Sequence, residues 1–238
     1  SNKVKKTEVN MDSSISADYL RTWLDADALS LLKGQVDYHA RLDLCPGKVC
    51  NQLVVTSDLI GVEINAFPPL SKTKSQTMPL TVVSDLGLTY ADDRSVVRLN
   101  LADQLRGALV SDSKGLERAR FSLGGAKPEI PDEAGIWVDG KLDAVDYAEI
   151  ERFIAALGSN NQASAKKSSG LTDTKLKQVD LLLSRFSAGS FDLNDVLISL
   201  KPEPSGWMLN AQSALLLGQL WLPDDANLPY KVELQQLT

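Results

Sequence analysis

From Gln35 onward, hydrophobic and polar side chains take turns along the chain. Val36, Tyr38, Ala40, Leu42 and Leu44 point one way, while Asp37, His39, Arg41 and Asp43 point the other. A period of two with one apolar and one charged face predicts a β-strand whose sheet meets water on one side only. Just upstream the period is helical. Leu20, Trp23, Leu24, Ala28, Leu31 and Leu32 recur at helix spacing, Ser16 serves as N-cap, Asp18 sits in the first turn, and Gly34 is the stop. Residues 1–34 therefore read as an N-terminal tail and helix.

Short strand patterns fill most of the chain beyond Leu44. Residues 53–60 and 62–66 are extended, with a bulge or bend at Gly61, and Phe67-Pro68-Pro69-Leu70 with the polar 71–77 form a break. Segments 80–90, 96–101, 105–111, 119–123 and 136–142 are further strands, separated by turn residues at Asp92-Asp93 and 112–115. This succession predicts a β-meander over 35–158 rather than βαβ units. It carries one helix at 143–157, with Asp143 as cap, Asp146 three residues on, and Ile150, Phe153, Ile154 and Leu157 as its apolar stripe. The polar, low-complexity 159–173 reads as a flexible loop. Residues 174–238 return to strands that continue the sheet, with Val179, Leu181 and Leu183 alternating, then Val196, Ile198 and Leu200. The fold class is mainly β with two or three helices, and the sheet is expected to be antiparallel. The alternating apolar face fits an ordinary β-sandwich core as well as an open groove, and periodicity does not choose between them. The start at Ser1-Asn2-Lys3, and a strand pattern still running at the end, suggest a piece of a longer protein.

Composition narrows the chemistry. The chain has 238 residues, 43% of them hydrophobic, as expected of a folded domain. No uncharged apolar run is long enough to cross a bilayer. The net charge is -6 and the basic residues are scattered, with Lys5-Lys6 and Lys166-Lys167 the only doublets, so a phosphate-neutralising surface for nucleic acid is not expected. The single histidine, His39, lies between Asp37 and Arg41 on a charged strand face, where a solvated or ion-paired role is expected, and no G-x-S-x-G elbow offers it a nucleophile. Asp25 and Asp27, Asp92-Asp93 and Asp224-Asp225 each sit in turns or on a polar helix face. The run Asp139-Gly140-Lys141-Leu142-Asp143 lacks the later ligands of a calcium loop. Gly124-Gly125 is followed by Ala-Lys-Pro rather than a helix, which leaves a nucleotide nothing to rest on. No catalytic residue, metal or cofactor is therefore expected. Cys45 and Cys50 bracket a short turn, and the choice is between a disulfide and two free thiols. A hairpin there would allow the disulfide, which would in turn favour an oxidising compartment. Aromatics make up only 6% of the chain, so an aliphatic lining would suit acyl chains better than bases or sugars.

Three stretches are similar to the AsmA-like envelope proteins of the YhdP type. The first begins Leu53-Val-Val-Thr-Ser-Asp-Leu-Ile-Gly-Val-Glu-Ile and continues through Phe67-Pro-Pro-Leu-Ser-Lys72 to Met78-Pro-Leu. The second is Gly135-Ile-Trp-Val-Asp-Gly-Lys-Leu-Asp143. The third runs from Gly206-Trp207 through Ala214 to Leu217 and Gly218-Gln-Leu-Trp-Leu-Pro223 to an acidic doublet. Together they cover roughly Gln35 to Thr238 in order. The adjacent Pro68-Pro69 departs from the family's separated prolines. The resemblance implies a strongly curved, taco-like sheet with an apolar concave side. It also implies a non-enzymatic role in moving phospholipid from inner to outer membrane, a periplasmic location, and an inner-membrane anchor elsewhere in the parent protein of a Gram-negative bacterium. On that reading Val36, Tyr38, Leu42, Val55, Val82, Leu86, Leu181 and Leu183 line the groove. Acyl chains are its ligand, with envelope proteins as further partners.

Overall fold

In the computed structural model, the described residues are 6–24, 27–46, 51–86, 94–113, 115–125, 127–149, 152, 176–225 and 227–237. They form one sheet of 14 strands that curves without closing into a barrel. The strands are β1 Thr7–Ser16, β2 Leu32–Leu44, β3 Gln52–Ser57, β4 Val62–Ile64, β5 Leu80–Asp85, β6 Ser95–Leu101, β7 Leu105–Asp112, β8 Gly115–Leu123, β9 Gly135–Asp146, β10 Leu176–Ala188, β11 Phe191–Glu203, β12 Gly206–Gln212, β13 Leu216–Pro223 and β14 Lys231–Leu237. Each pairs with the next in the chain, except that β4 folds back onto β2 and β3 pairs directly with β5.

Residues 7–16 are not a tail. They form an edge strand that pairs with β2 along its length, from Thr7 opposite Leu44 to Ser16 opposite Gln35. The strand's outward side chains are all polar, and Val9, Met11 and Ile15 are the only large apolar groups on the other side, so local periodicity is weak. The ladder to β2 supplies the backbone partners that the side chains do not advertise. The helix that comes next, α1 Ala17–Leu24, starts where its cap predicts, since Ser16 Oγ accepts from Tyr19 N at 3.1 Å. It is short, however. A 3₁₀ turn at Asp27–Leu31 replaces its second half, and β2 begins at Leu32. Gly34 is therefore a strand residue. It adopts φ 125° opposite Val62, and a Cβ there would lie 2.2 Å from Gly61 O. Gly61, at φ 87°, forms the turn into β4.

The meander holds except around β9, which runs parallel to both neighbours and makes the sheet mixed. Two crossovers bring this about. The first, between β8 and β9, brings residues 131 and 132 to the outer face, where Arg118 Nη1 donates to Pro131 O at 3.0 Å and Asp132 O at 2.9 Å. The second comes after β9, and here the helix expected from Asp143 starts late. Residues up to Asp146 stay in the strand because Val145 and Asp146 pair with Phe186 and Ser187 of β10. Helical geometry begins at 147, with Asp146 as the cap, accepting from Ala148 N at 2.8 Å and from Ser187 Oγ at 2.9 Å. Three features expected from the sequence lie outside the described residues: the stripe Ile150, Phe153, Ile154 and Leu157, the loop 159–173, and the strand extension 87–90 with Asp92-Asp93.

Three adjacent strands break their alternation on the same rung. Leu142 and Val145, Leu183 and Phe186, and Leu193 and Val196 all join one apolar cluster although each pair is three residues apart. The rung between them, Asp143, Ser184 and Asp195, is absent from the pairing, and Asp195 has φ 49°, a left-handed conformation that Asp tolerates better than most residues. This aligned break re-aims the strand ends while keeping apolar side chains on one side.

Candidate functional site

Residues opposite one another in a ladder share a face, so the register alone sorts the sheet into two surfaces. The rung Met11, Ala40, Val55, Val82, Leu99, Gly107, Phe121, Val138, Val179, Leu200, Leu209, Leu220 and Val232 crosses every strand from β1 to β14 except the off-path β4. None of its members is polar. One residue further along the strands, the opposite face carries Asp12, His39, Thr56, Thr81, Asn100, Arg106, Ser122, Asp139, Asp180, Ser199, Asn210, Gln219 and Glu233, and all of these are polar. At about 4.8 Å per strand the apolar rung spans roughly 60 Å, twice the ~30 Å hydrocarbon core of a bilayer.

Parallel apolar rungs flank it on the same, inner face. One contains Val9, Leu42, Leu53, Val97, Leu109, Ala119 and Ile136, with Ser84 as its only polar member across these strands. The other contains Leu80, Leu101, Leu105, Leu123, Gly140, Leu181 and Ile198. Much of this surface is only half-buried. Val55, Val82, Leu99, Phe121, Val138, Val179 and Leu209 keep part of their surface in water, and Met11 and Val232 at the two ends are 51% and 61% exposed.

The second flanking rung has a cover. Residues 58–79, between β3 and β5, form a strap across the inner face. Its base packs as Leu59, Val62, Ile64 and Met78 with Val36, against Ile15, Leu20, Leu32, Leu80 and Leu101. Its tip places Phe67 and Leu70 on the cluster around Leu123, Leu142, Leu183 and Val196. The chain returns from tip to base through an Ile64–Lys72 bridge, and the Pro68–Pro69 peptide at the tip is cis. Lys72 is 5% exposed. Its ammonium donates to Leu59 O at 2.7 Å and to Val62 O, tying down two carbonyls of the turn that opens the strap. Burial pulls this ammonium below its ordinary 10.5, and the negative charge of Asp58 opposes that pull.

The YhdP protein family model matches residues 1–238. The chain belongs to the YhdP family. It is thus an AsmA-like protein of the bacterial envelope. No curated protein and no solved structure matches it. No helix among the described residues is long and apolar enough to cross a membrane.

Seven of the eight residues singled out from the sequence of this YhdP-family chain have the parity of the inner face within a strand, in two groups. Val36, Tyr38, Leu42, Val55 and Val82 occupy β2, β3 and β5, whereas Leu181 and Leu183 lie on β10, joined to the first group by Leu99, Phe121 and Val138. Val36 and Leu183 are covered by the strap clusters, at 6% and 2% exposure, while the other five are half-buried. Leu86 lies past the end of β5, 37% exposed, with its N–H donating to Asn51 O at 2.9 Å. Cys45 is disulfide-bonded, and Cys50, the chain's other cysteine, lies outside the described residues. His39 pairs with Asp12 across the outer face, Nδ1 to Oδ1 at 2.8 Å, both side chains exposed. Among the described residues no three His, Cys, Asp or Glu side chains converge on a metal-sized site.

The sequence pattern does not announce the strap. A proline pair and the polar residues after it suggest a break, and no local signal says that Phe67 and Leu70 will reach β7 to β11. Nor does it single out Asp43, 5% exposed on the outer face, with Lys6 Nζ at 2.9 Å and Arg41 Nε at 3.5 Å.

Proposed function

We propose that this YhdP-family chain is a non-enzymatic stretch of a lipid-conducting track, carrying phospholipid acyl chains through the periplasm between inner and outer membranes. The observation behind this reading is the apolar rung that runs from Met11 to Val232 without a polar member, most of its side chains half-buried, its two ends exposed, and Ala40 and Gly107 buried. A sheet built to close a core would bury those side chains against a second layer. Here the strap covers one flank and leaves the rest available to hydrocarbon. Transfer of a lipid through water exposes its chains at about 0.8 kcal/mol per CH₂, or roughly 12 kcal/mol for a chain of about 16 carbons. A continuous apolar floor removes most of that barrier, and the polar headgroup stays in water above the open side. The outer face carries charged and amide side chains at the level of the apolar rung, while Val96, Ala108 and Val110 on that same face are buried, at 2%, 1% and 0% exposure.

The test is lipid extraction and mass spectrometry of the purified chain, alongside Val82→Asp and Leu99→Asp in the middle of the rung. Phospholipid should accompany the native chain and be depleted from both variants. A folded native chain that carries no phospholipid, and takes none up from phosphatidylethanolamine–phosphatidylglycerol vesicles, would overturn the reading. The sheet would then be a structural or partner-binding module of the envelope.

A further inference from the structure

We infer that the strap, residues 58–79, is a displaceable side wall of the apolar face, and that its tip competes with acyl chains for the rung it covers. This rests on the track reading and adds to it a control on the width of the track. The two ends of the strap are held very differently. At the base, Leu59, Val62, Ile64 and Met78 are 4%, 0%, 7% and 7% exposed, β4 pairs with β2, and Lys72 locks the carbonyls of Leu59 and Val62. That end belongs to the permanent core. The tip is not part of any strand ladder. Leu70 N and Ser71 N both donate back to Phe67 O, at 2.9 and 3.2 Å, and the side chains that seat the tip on the sheet are the half-buried Phe67 and Leu70.

What the tip covers is the same kind of surface that lies open beside it. Leu105, Leu123, Leu181 and Ile198 of the same cluster continue the rung of Leu80 and Leu101, immediately next to the half-buried Val82–Leu99–Phe121–Val138 rung, whose Val138 touches the cluster's edge. Hydrophobic attraction is non-directional and scales with area. A hydrocarbon chain lying on that rung therefore gains what Phe67 and Leu70 lose, and the two occupants exclude each other. With the tip lifted beyond the Ile64–Lys72 bridge, the face gains the stretch of the third rung from Leu105 to Ile198, while Leu80 and Leu101 stay under the base.

The experiment is fluorescence titration of the full chain with a dansyl-labelled fatty acid, comparing native protein, Phe67→Ala/Leu70→Ala, and Leu99→Asp. If the tip competes, the double variant binds the probe about tenfold more tightly, because the probe no longer has to displace the tip before binding. Leu99→Asp weakens binding. Probe binding to the double variant but not to the native chain also supports a competing tip. If native chain and Leu99→Asp behave as expected but the double variant binds equally or more weakly, the wall idea fails and the track reading stands. If no form binds probe, both fall. Should the double variant not fold, methyl NMR of the native chain decides. Contacts between the Leu70 methyls and the Leu142–Leu183 cluster should vanish as probe is added, and their survival at saturation overturns the proposal.

Discussion

Replacing Val82 with aspartate separates an open apolar face from a closed core more sharply than any other single change. Val82 sits on the inner rung between Val55 and Leu99, half-buried. Fully burying a valine is worth about 1.5–3 kcal/mol, so loss of its half-buried side chain costs about 1 kcal/mol. The partly wet carboxylate beside two aliphatic neighbours, together with the lower strand preference of Asp, adds about another 1 kcal/mol. The sum, about 2 kcal/mol, lowers the melting temperature by roughly 4–8 °C in a chain of this size. In a closed interior the same unpaired carboxylate would cost more than about 4–5 kcal/mol. Thr81→Asp, one residue away on the outer rung between Thr56 and Asn100, is the matched control and should melt within about 3 °C of the native chain. Circular dichroism melts read the stability, and titration with a labelled fatty acid reads the function. In Val82→Asp an acyl chain loses contact for about three CH₂ groups, which predicts binding weaker by roughly 50-fold, with Thr81→Asp unchanged. A Val82→Asp chain that fails to fold, or one that melts mildly lower yet binds lipid like the native protein, would refute the open-track argument by different routes.

Other expectations concern the framework that holds this face. Gly34→Ala should destabilise by about 3 kcal/mol or more, because φ 125° is nearly closed to L-residues and the new Cβ would stand 2.2 Å from Gly61 O; Gly189→Ala, at φ 63° with nothing within 4 Å, should cost only about 1–2 kcal/mol. Equal costs by urea denaturation would show that the β2–β4 approach is not tight. Burial depresses the Lys72 pKa, so the native state releases this proton at lower pH than the unfolded chain does, and stability gains a rising component as pH climbs towards 10.5. Lys72→Met should remove that rise, and identical alkaline slopes in the two proteins would rule it out. Asp146 is held below its ordinary 3.8 by Ser187 Oγ first and then by Ala148 N, so its contribution is present above that value and disappears as pH falls through the lower folded one. In acid titration by NMR, the Ser187 and Ala148 amides should move together in the native chain and stay fixed in Asp146→Asn. Independent movement of the two would break the link between them.

How far the sequence reaches is clearest at particular elements. The alternation from Val36 to Leu44 and from Val179 to Leu183 states which side chains share a face, because successive Cβ atoms of a strand point to opposite sides whatever the partner. The same rule assigns Val55 and Val82 to the inner rung with no knowledge of their partners. Ser16 is readable as a cap because capping is settled within three residues. Partner choice is not local. Residues 7–16 are extended only because β2 offers an edge, and 143–146 stay extended only because β10 arrives after some thirty intervening residues to pair with them. Both outcomes depend on ladder hydrogen bonds made across the fold, which outweigh a local preference of a few tenths of a kcal/mol per residue. The strap shows the limit most plainly. Phe67 and Leu70 look the same in sequence whether they sit in a loop in water or on the face of β7 to β11, and only the path of the folded chain puts them there. Alternation along the chain is enough to create an apolar side and a polar side. Whether protein or something else covers the apolar side is decided by folding, because covering a surface is a matter of which distant segments reach it.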